Sequence, residues 1–408
     1  MYLIRRGGEM IVFDKGVKPI KAWVKNKWDI EPGAMTQALN LSQLPFLHKH
    51  VALMPDVHQG YGMPIGGVIA TDGVVIPNAV GVDIGCGMLA CKTSFTNISV
   101  ENLRSIKQKI QATIPTGFKH RSNDHDLYLQ VYKEEFESDL RIGLLPVVRP
   151  EIESNNAINQ IGTLGSGNHF IEIQKGSDGF IWIMIHSGSR NLGKKVAEYY
   201  NKMAVSINEK WYSSVPKAFD LAFIPYDDRN ESLYSCYMSE MMMCLKFAAI
   251  NRRAMLRDIE RAMDCPDAMF SEPIESLHNY ARMENHFGKN VMVHRKGATS
   301  AKAGEIGIIP GSMGTASYVV EGLGNPDSFM SCSHGAGRIM GRNEAKRSLN
   351  LANEIDILDK QGILHDIVDA SGLDEASGAY KSIADVMDNQ KDLVKILVEL
   401  KPLAVVKG

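Results

Sequence analysis

Hydrophobic positions in this chain come in short blocks rather than in one sustained period. From Val51 to Ser94 the sequence reads VALMPDVHQGYGMPIGGVIATDGVVIPNAVGVDIGCGMLACKTS, brief apolar runs cut by glycine. Runs such as GVIAT, GVVIP and MLACKTS have the composition of buried strands, and the glycines between them predict tight turns. A second stretch of this kind follows in IGTLGSGNHFIEIQ and FIWIMIHSGSR, and a third runs from Asn290 to Gly324. Elsewhere the pattern is helical. Residues 99–141 read as polar helix, with GFKHRSNDH (117–125) as a mobile loop, and two long helices are predicted over about 190–213 and 232–264. Met238 and Met241–Met243 on the second of these are read as core packing. After SCSHGAGR the chain turns helical again and ends in a short tail, VVKG.

Strands and helices thus arrive in blocks, which argues against a doubly wound sheet, where they would alternate. No internal repeat, low-complexity segment or Pro/Ser linker divides the sequence. The expected architecture is α+β: a single large domain over residues 1–408, with a central, mainly antiparallel β core flanked by helices. The motifs that carry chemistry lie in four distant stretches and must converge within it.

Composition narrows the classes of function. An apolar fraction of 44% with 23% charged residues is that of an ordinary globular protein. The formal net charge of −2 excludes a chain that holds nucleic acid by global basicity, so any such role must rest on a local patch. The lysine-rich run KGVKPIKAWVKNK (15–27) is read as a solvated face. Six cysteines (Cys86, Cys91, Cys236, Cys244, Cys265 and Cys332) form no compact framework, and MYLIRRGGEMIVFDKG has no apolar core for a signal peptide. No run approaches the roughly 18 apolar residues of a membrane span. A cytoplasmic protein with reduced thiols and no membrane association is expected, a monomer by default.

In GVDIGCG (81–87), Asp83 and Cys86 stand three apart among glycines that let the backbone fold tightly around an ion. In GSGNHFIE (165–172), an extended backbone turns Asn168, Phe170 and Glu172 to one face and His169 to the other. One face can then read a base or sugar while His169 reaches a metal, and the preceding glycines bring N–H groups toward phosphate. His186 closes the apolar strand FIWIMIH, and the Ser-Gly-Ser-Arg190 that follows offers hydroxyls, N–H groups and a guanidinium fork. His278 in LHNY is a weaker signal. In SCSHGAGR (331–338), His334 stands before a Gly-Ala-Gly turn and Arg338, with another glycine-serine turn upstream in IIPGSMG (308–314). A neutral imidazole there can attack phosphorus, ligate a metal or act as a general base. One cysteine, one aspartate and at least three histidines exceed the four ligands of a closed structural zinc site, which points to an open or two-metal site suited to phosphoryl transfer. Thiolate softness favours zinc, with manganese or iron also compatible.

Together these motifs resemble the RtcB family of RNA ligases. The resemblance runs from about Lys18 to Gly408 and includes MPDVHQGYG, GVDIGCG, GTLGSGNHFIE, HSGSR, RKGA, IIPGSMG, SCSHGAGR and the terminal KG. It implies an enzyme that joins RNA carrying a 3′-phosphate or 2′,3′-cyclic phosphate to RNA carrying a 5′-hydroxyl, in tRNA or RNA splicing or repair, using GTP and two manganese ions. Carried over by motif, His334 is the guanylylated histidine, and Asp83, Cys86, His169, His186 and His278 are the metal ligands, with Cys86 bridging. Here the resemblance corrects the preference for zinc. The nucleotide pocket would draw on Asn168, Phe170, Glu172, Asn279, Pro310, Gly311, Ser312, Met313, Ser317, Gly335, Ala336, Gly337 and Lys407, with Arg190 among the groups that hold RNA phosphates. One departure is Asn191, where the family usually has glycine after HSGSR. The alternative is a metal-dependent RNA phosphoesterase or cyclic phosphodiesterase, which would need neither a GMP carrier at His334 nor a pocket lysine at 407.

Overall fold

The computed structural model describes residues 4–7, 10–14, 16–121, 145–229, 231–264 and 270–408. Two seven-stranded sheets dominate it. The first runs, in spatial order, Ile4–Gly7, Met10–Phe13, Ile20–Ala22, Leu47–His58, Ile65–Thr71, Lys289–Lys296, Asn279–His286. Its ladders are antiparallel except the one between Ile20–Ala22 and Leu47–His58, which is parallel. The second runs Ile274–Leu277, Gly87–Lys92, Ile181–Ser187, Phe170–Gly176, Val394–Lys407, Ser317–Gly322, Ile306–Ile309, and is antiparallel throughout. The Ile308 N–H donates to Ser276 Oγ at 3.0 Å. That bond brings the sheet's two edge strands together and curls it into a nearly closed barrel. The expected α+β class with an antiparallel core is what the chain adopts.

Strand alternation explains why the site forms where it does. On Ile181–Ser187, Trp182 and Met184 face inward with Met88, Ala90, Phe170, Ile308, Val319 and Leu400; by the period of two, His186 shares that face. Ile181, Ile183 and Ile185 face outward and pack with Leu103, Ile106 and Ile110 of helix Val100–Thr113 and with Met255, Leu256 and Ile259 of helix Leu233–Ala262. Each such side chain contributes roughly 1.5–3 kcal/mol on burial. Both faces are therefore covered, and the strand reads as one continuous apolar run. The first sheet is covered likewise, by Ala34, Ala38 and Leu41 of helix Pro32–Ser42 on one face and by Ile383, Val386 and Met387 on the other.

The long helices appear as Arg190–Lys210 and Leu233–Ala262. Met241 and Met243 lie in the core and Met238 packs against it, whereas Met242 is half exposed. Of the stretch read as helical over 99–141, Val100–Thr113 is helix and 114–121 is irregular; 122–141, with the rest of the expected loop, lies outside the described residues. VVKG is not a tail. It closes the fourteen-residue strand Val394–Lys407, paired on both sides. Four residues are too few to display a period, and the register shift between Pro402 and Ala404 breaks the alternation upstream. Among the described residues no helix is long and apolar enough to cross a membrane.

Candidate active site

Two side chains near the middle of helix Leu233–Ala262 hold the site's loops. Asn251, fully buried, accepts the Thr163 N–H and donates to Thr163 O and Ser187 Oγ, each at 3.1 Å. Arg252, also fully buried, donates to Gly85 O and Ser187 O and pairs with Glu275 at 2.9 Å. Three loops, at 81–87, 163–169 and 187–190, are thereby tied to one rigid element. Gly188 is required by close approach, since a Cβ there would lie 2.4 Å from Asp83 Oδ1.

These loops converge on Cys86. Its Sγ lies 3.3 Å from His186 Nε2 and 3.6 Å from His169 Nε2. His169 Nε2 lies 3.2 Å from Asp83 Oδ2, and His186 Nε2 lies 3.4 Å from His278 Nε2. The result is two triads, Asp83–Cys86–His169 and Cys86–His186–His278, each with ligand atoms within 4.8 Å and both sharing the sulfur. The rings are oriented for ligation. His169 Nδ1 and His186 Nδ1 donate to the carbonyls of Leu164 and Asn168, at 2.9 and 3.0 Å, which turns each Nε2 toward the sulfur. His278 Nδ1 is buried with no hydrogen-bond partner. Burial, reinforced by neighbouring imidazoles, holds His186 and His278 well below their usual range, so both are neutral. Burial opposes ionisation of Asp83, yet the hydrogen bond and charge of His169 hold its carboxyl below the ordinary value. Burial and the Asp83 charge push the Cys86 thiol well up; a bound cation would favour the thiolate. Converging imidazole nitrogens, a shared sulfur and a carboxylate fit metal cations.

Beside this cradle stands His334, its ring centroid 4.9 Å from that of His278. Asp56, on strand Leu47–His58 and wholly buried, accepts from His334 Nδ1 at 2.6 Å and from its backbone N–H at 3.1 Å. The carboxylate fixes the proton on Nδ1 and leaves the Nε2 lone pair for attack. Gly337 adopts φ +75°, and a Cβ there would lie 2.2 Å from Asp56 O, so only glycine lets the His334 loop sit against this strand.

His334 opens into a cleft of about 730 Å³ lined by Asn168, Phe170, Glu172, Pro310, Gly311, Ser312, Met313, Gly335, Ala336, Gly337 and Lys407, within the range of small-molecule sites. Lys407 Nζ lies 5.6 Å from the Phe170 ring centroid and 4.0 Å from Glu375 Oε2. Burial pushes the Glu172 carboxyl up to about 8, against the hydrogen bond from Gln174 and the charge of Lys407, so it carries a proton at neutral pH. Ser317 lies behind the wall, where its Oγ accepts the Gly311 N–H at 3.1 Å. Asn279 does not line the cleft. Its amide donates to Asp83 O and accepts the Gly297 N–H, at 3.1 and 2.9 Å, making it a brace between the metal loop and the RKGA turn. Arg190 is also engaged internally, donating to Thr163 Oγ1 and Gly117 O. Asn191 has an exposed side chain and donates its N–H to Gln160.

The sequence reading assigned no role to Asp56, Lys296, Glu375, Arg342 or Tyr380, all placed here at or beside the cleft. Asp56 had a signal, a carboxylate inside an apolar strand run in MPDVH. Lys296, buried and donating to Tyr61 O and to Asn78 O at 2.9 Å, is pushed down to about 7 by burial. Glu375 gathers Arg338, Arg342 and Tyr380 from a stretch without a distinctive motif.

A shared-sulfur metal cradle, a carboxylate-backed histidine beside it and a nucleotide-sized cleft place the protein among metal-dependent enzymes of phosphorus chemistry. The family model for tRNA-splicing ligase RtcB matches residues 37–408. The chain is 39% identical to the RNA-splicing ligase RtcB of Escherichia coli (strain K12), over 96% of this chain and 97% of that one. It is 31% identical to the tRNA-splicing ligase RtcB of Thermococcus kodakarensis, over 92% and 91%, and 30% identical to the RNA-splicing ligase RtcB homolog 1 of Entamoeba dispar, over 92% and 82%. The chain belongs to the RtcB family.

Proposed function

We propose that this protein is an RNA ligase that joins a 3′-phosphate or 2′,3′-cyclic phosphate end to a 5′-hydroxyl end through GMP carried on His334, in RNA splicing or repair. The observation that carries this reading is the Asp56–His334 pair at 2.6 Å, which in the neutral ring places the proton on Nδ1 and leaves the Nε2 lone pair free beside the cleft. Where the end is a cyclic phosphate, water first attacks its phosphorus and the P–O2′ bond breaks, leaving a 3′-phosphate and a 2′-hydroxyl. His334 Nε2 then attacks the α-phosphorus of GTP, forming a P–N bond as pyrophosphate leaves. An oxygen of the RNA 3′-phosphate attacks the same phosphorus and the imidazole departs, giving RNA-3′-pp-5′-G. The 5′-hydroxyl attacks the RNA phosphate, and GMP is the leaving group.

Asn168, Phe170, Glu172, Pro310–Met313, Gly335–Gly337 and Lys407 would surround the guanine nucleotide, offering it an aromatic ring, a protonated carboxyl and a lysine. Asp83, Cys86, His169, His186 and His278 would hold two manganese ions. Such ions supply offset of phosphate charge and in-line alignment of attacking and leaving groups. Ser317 and Asn279 act by bracing. The same reading takes residues 1–408 as one domain working as a monomer in the cytoplasm; strands of both large sheets contribute to one site, which supports the single domain. A phosphoesterase would need neither a GMP carrier at His334 nor Lys407 in the pocket. Incubation of 3′-phosphate and 5′-hydroxyl RNA fragments with GTP and Mn²⁺ tests the proposal: a joined strand is expected, and release of inorganic phosphate without joining would overturn it.

A further inference from the structure

The lysine-rich run at the start of the chain is only partly a solvated face. Lys18 donates to the Leu47 carbonyl and Lys21 pairs with Asp327 at 2.6 Å, so both are built into the first sheet. The end of the run differs. Lys25 is exposed, Lys27 Nζ lies 4.2 Å from the Trp28 ring centroid, and Trp28 itself is 81% exposed. Tryptophan is usually highly buried, and a cation against the ring holds it in one orientation.

Hydrogen bonds tie this segment to the cleft. The Asp29 carbonyl accepts from Lys381 Nζ at 3.4 Å, and the Lys381 N–H donates to Gly337 in the His334 loop at 2.9 Å. Glu31, two residues further on, lines the cleft and accepts the Gln59 N–H at 3.1 Å. Gln37 holds Gly60 by both its N–H and its carbonyl. The next residue, Tyr61, lines the cleft and is 77% exposed. Tyr61 thus stands at the cleft that His334 opens into, and Trp28 lies on the adjoining segment, three residues before the cleft-lining Glu31.

We propose that Trp28 and Tyr61 form a stacking platform for unpaired bases of the RNA strand that enters this cleft, with Lys25 and Lys27 meeting its phosphates. The choice of RNA rests on the ligase reading above. It is favoured over a docked protein because the residues flanking Trp28 in sequence, Lys25, Asn26, Lys27 and Asp29, are all polar and add no apolar surface for a partner to cover. Flat aromatic rings with adjacent cations suit single strands of any sequence, and a chain of net charge −2 needs a local basic strip to hold them.

The test is fluorescence anisotropy with a labelled single-stranded RNA of about ten nucleotides bearing a 3′-phosphate, with Mn²⁺ and without GTP. Trp28→Ala is expected to raise Kd roughly 5- to 20-fold, the lower part of what one base stack contributes. Trp28→Phe should retain most of the affinity, Trp28→Leu should not, and Tyr61→Ala should also weaken binding. A duplex of the same sequence should bind wild type and Trp28→Ala alike. A single-strand Kd for Trp28→Ala within about twofold of wild type, an equal loss with the duplex, or no measurable single-strand binding by wild type would overturn the proposal. Because no ligation is needed, the comparison reads independently of GMP transfer. Loss of GMP transfer in wild type would remove the ligase reading alone, and its loss only in Trp28→Ala would assign the residue to positioning Glu31 and overturn the platform.

Discussion

Asp56→Asn should slow GMP transfer to His334 far more than it destabilises the protein. The carboxylate accepts two hydrogen bonds from one residue, at 2.6 Å from the ring and 3.1 Å from the backbone. Replacing an ionised acceptor by an amide loses roughly 1.5–3 kcal/mol for a charge-assisted bond, or about 10- to 150-fold in rate if the loss falls on the transition state. The amide can also turn its NH₂ toward Nδ1, which would move the ring proton to Nε2 and silence the nucleophile. In a serine protease triad the equivalent change costs ~10⁴-fold, so the expected slowing here is roughly 10²- to 10⁴-fold. The side chain is fully buried and the substitution isosteric, so urea unfolding should move much less than for removal of a core group. The assay is single-turnover transfer from labelled GTP, with unfolding run alongside. A rate within about threefold of wild type in a folded variant would refute the role given to Asp56 and, with it, the tautomer on which attack by Nε2 depends.

The shared sulfur should make Cys86→Ser lose both manganese sites while His278→Ala loses one, as read by metal stoichiometry after dialysis; equal retention in the two variants would exclude a bridging role. Gly188→Ala places a methyl 2.4 Å from Asp83 Oδ1 and should weaken manganese binding about 10-fold or more; unchanged affinity by titration would show that the carboxylate is not a ligand. The Glu172 carboxyl, raised by burial to about 8 from 4.5, keeps a proton in the folded protein that the unfolded chain gives up. The stability this contributes is complete below about pH 4.5 and is lost as pH rises through 8, an effect on the order of 5 kcal/mol. Glu172→Gln should therefore flatten the decline in urea midpoint between pH 5 and pH 8, and an identical decline in both proteins would contradict the buried, protonated state.

The residues that sequence made legible are those whose chemistry is concentrated in glycine-punctuated motifs. Asp83, Cys86, His169, His186 and His334 each stand at a strand end or turn where a polar side chain among apolar neighbours asks for an explanation. His169 parts from Phe170 and Glu172 as expected, although the strand begins only at Phe170 and Asn168 sits in the turn before it; within the strand Phe170 and Glu172 share a face by the period of two. His278 carries little local signal; its place is set by the bonds of its backbone to Cys86 and Gly297, which are contacts between distant segments. Asn279 and Ser317 show the converse, motif residues that brace from behind. Lys407 is invisible to local reading because its burial comes from the paired strand Val394–Lys407, not from its neighbours in sequence. Asp56 meets His334 from a strand 278 residues away, and Glu375 and Tyr380 meet Arg338 and Lys407 through contacts between separate loops and strands.

Intact mass after incubation with GTP and Mn²⁺, for wild type and His334→Ala, is the most direct measurement. We expect wild type alone to gain the mass of one GMP, with pyrophosphate released. No gain in wild-type protein that is folded and holds manganese, or an equal gain in His334→Ala, would contradict the assignment of His334 as the residue that carries the nucleotide.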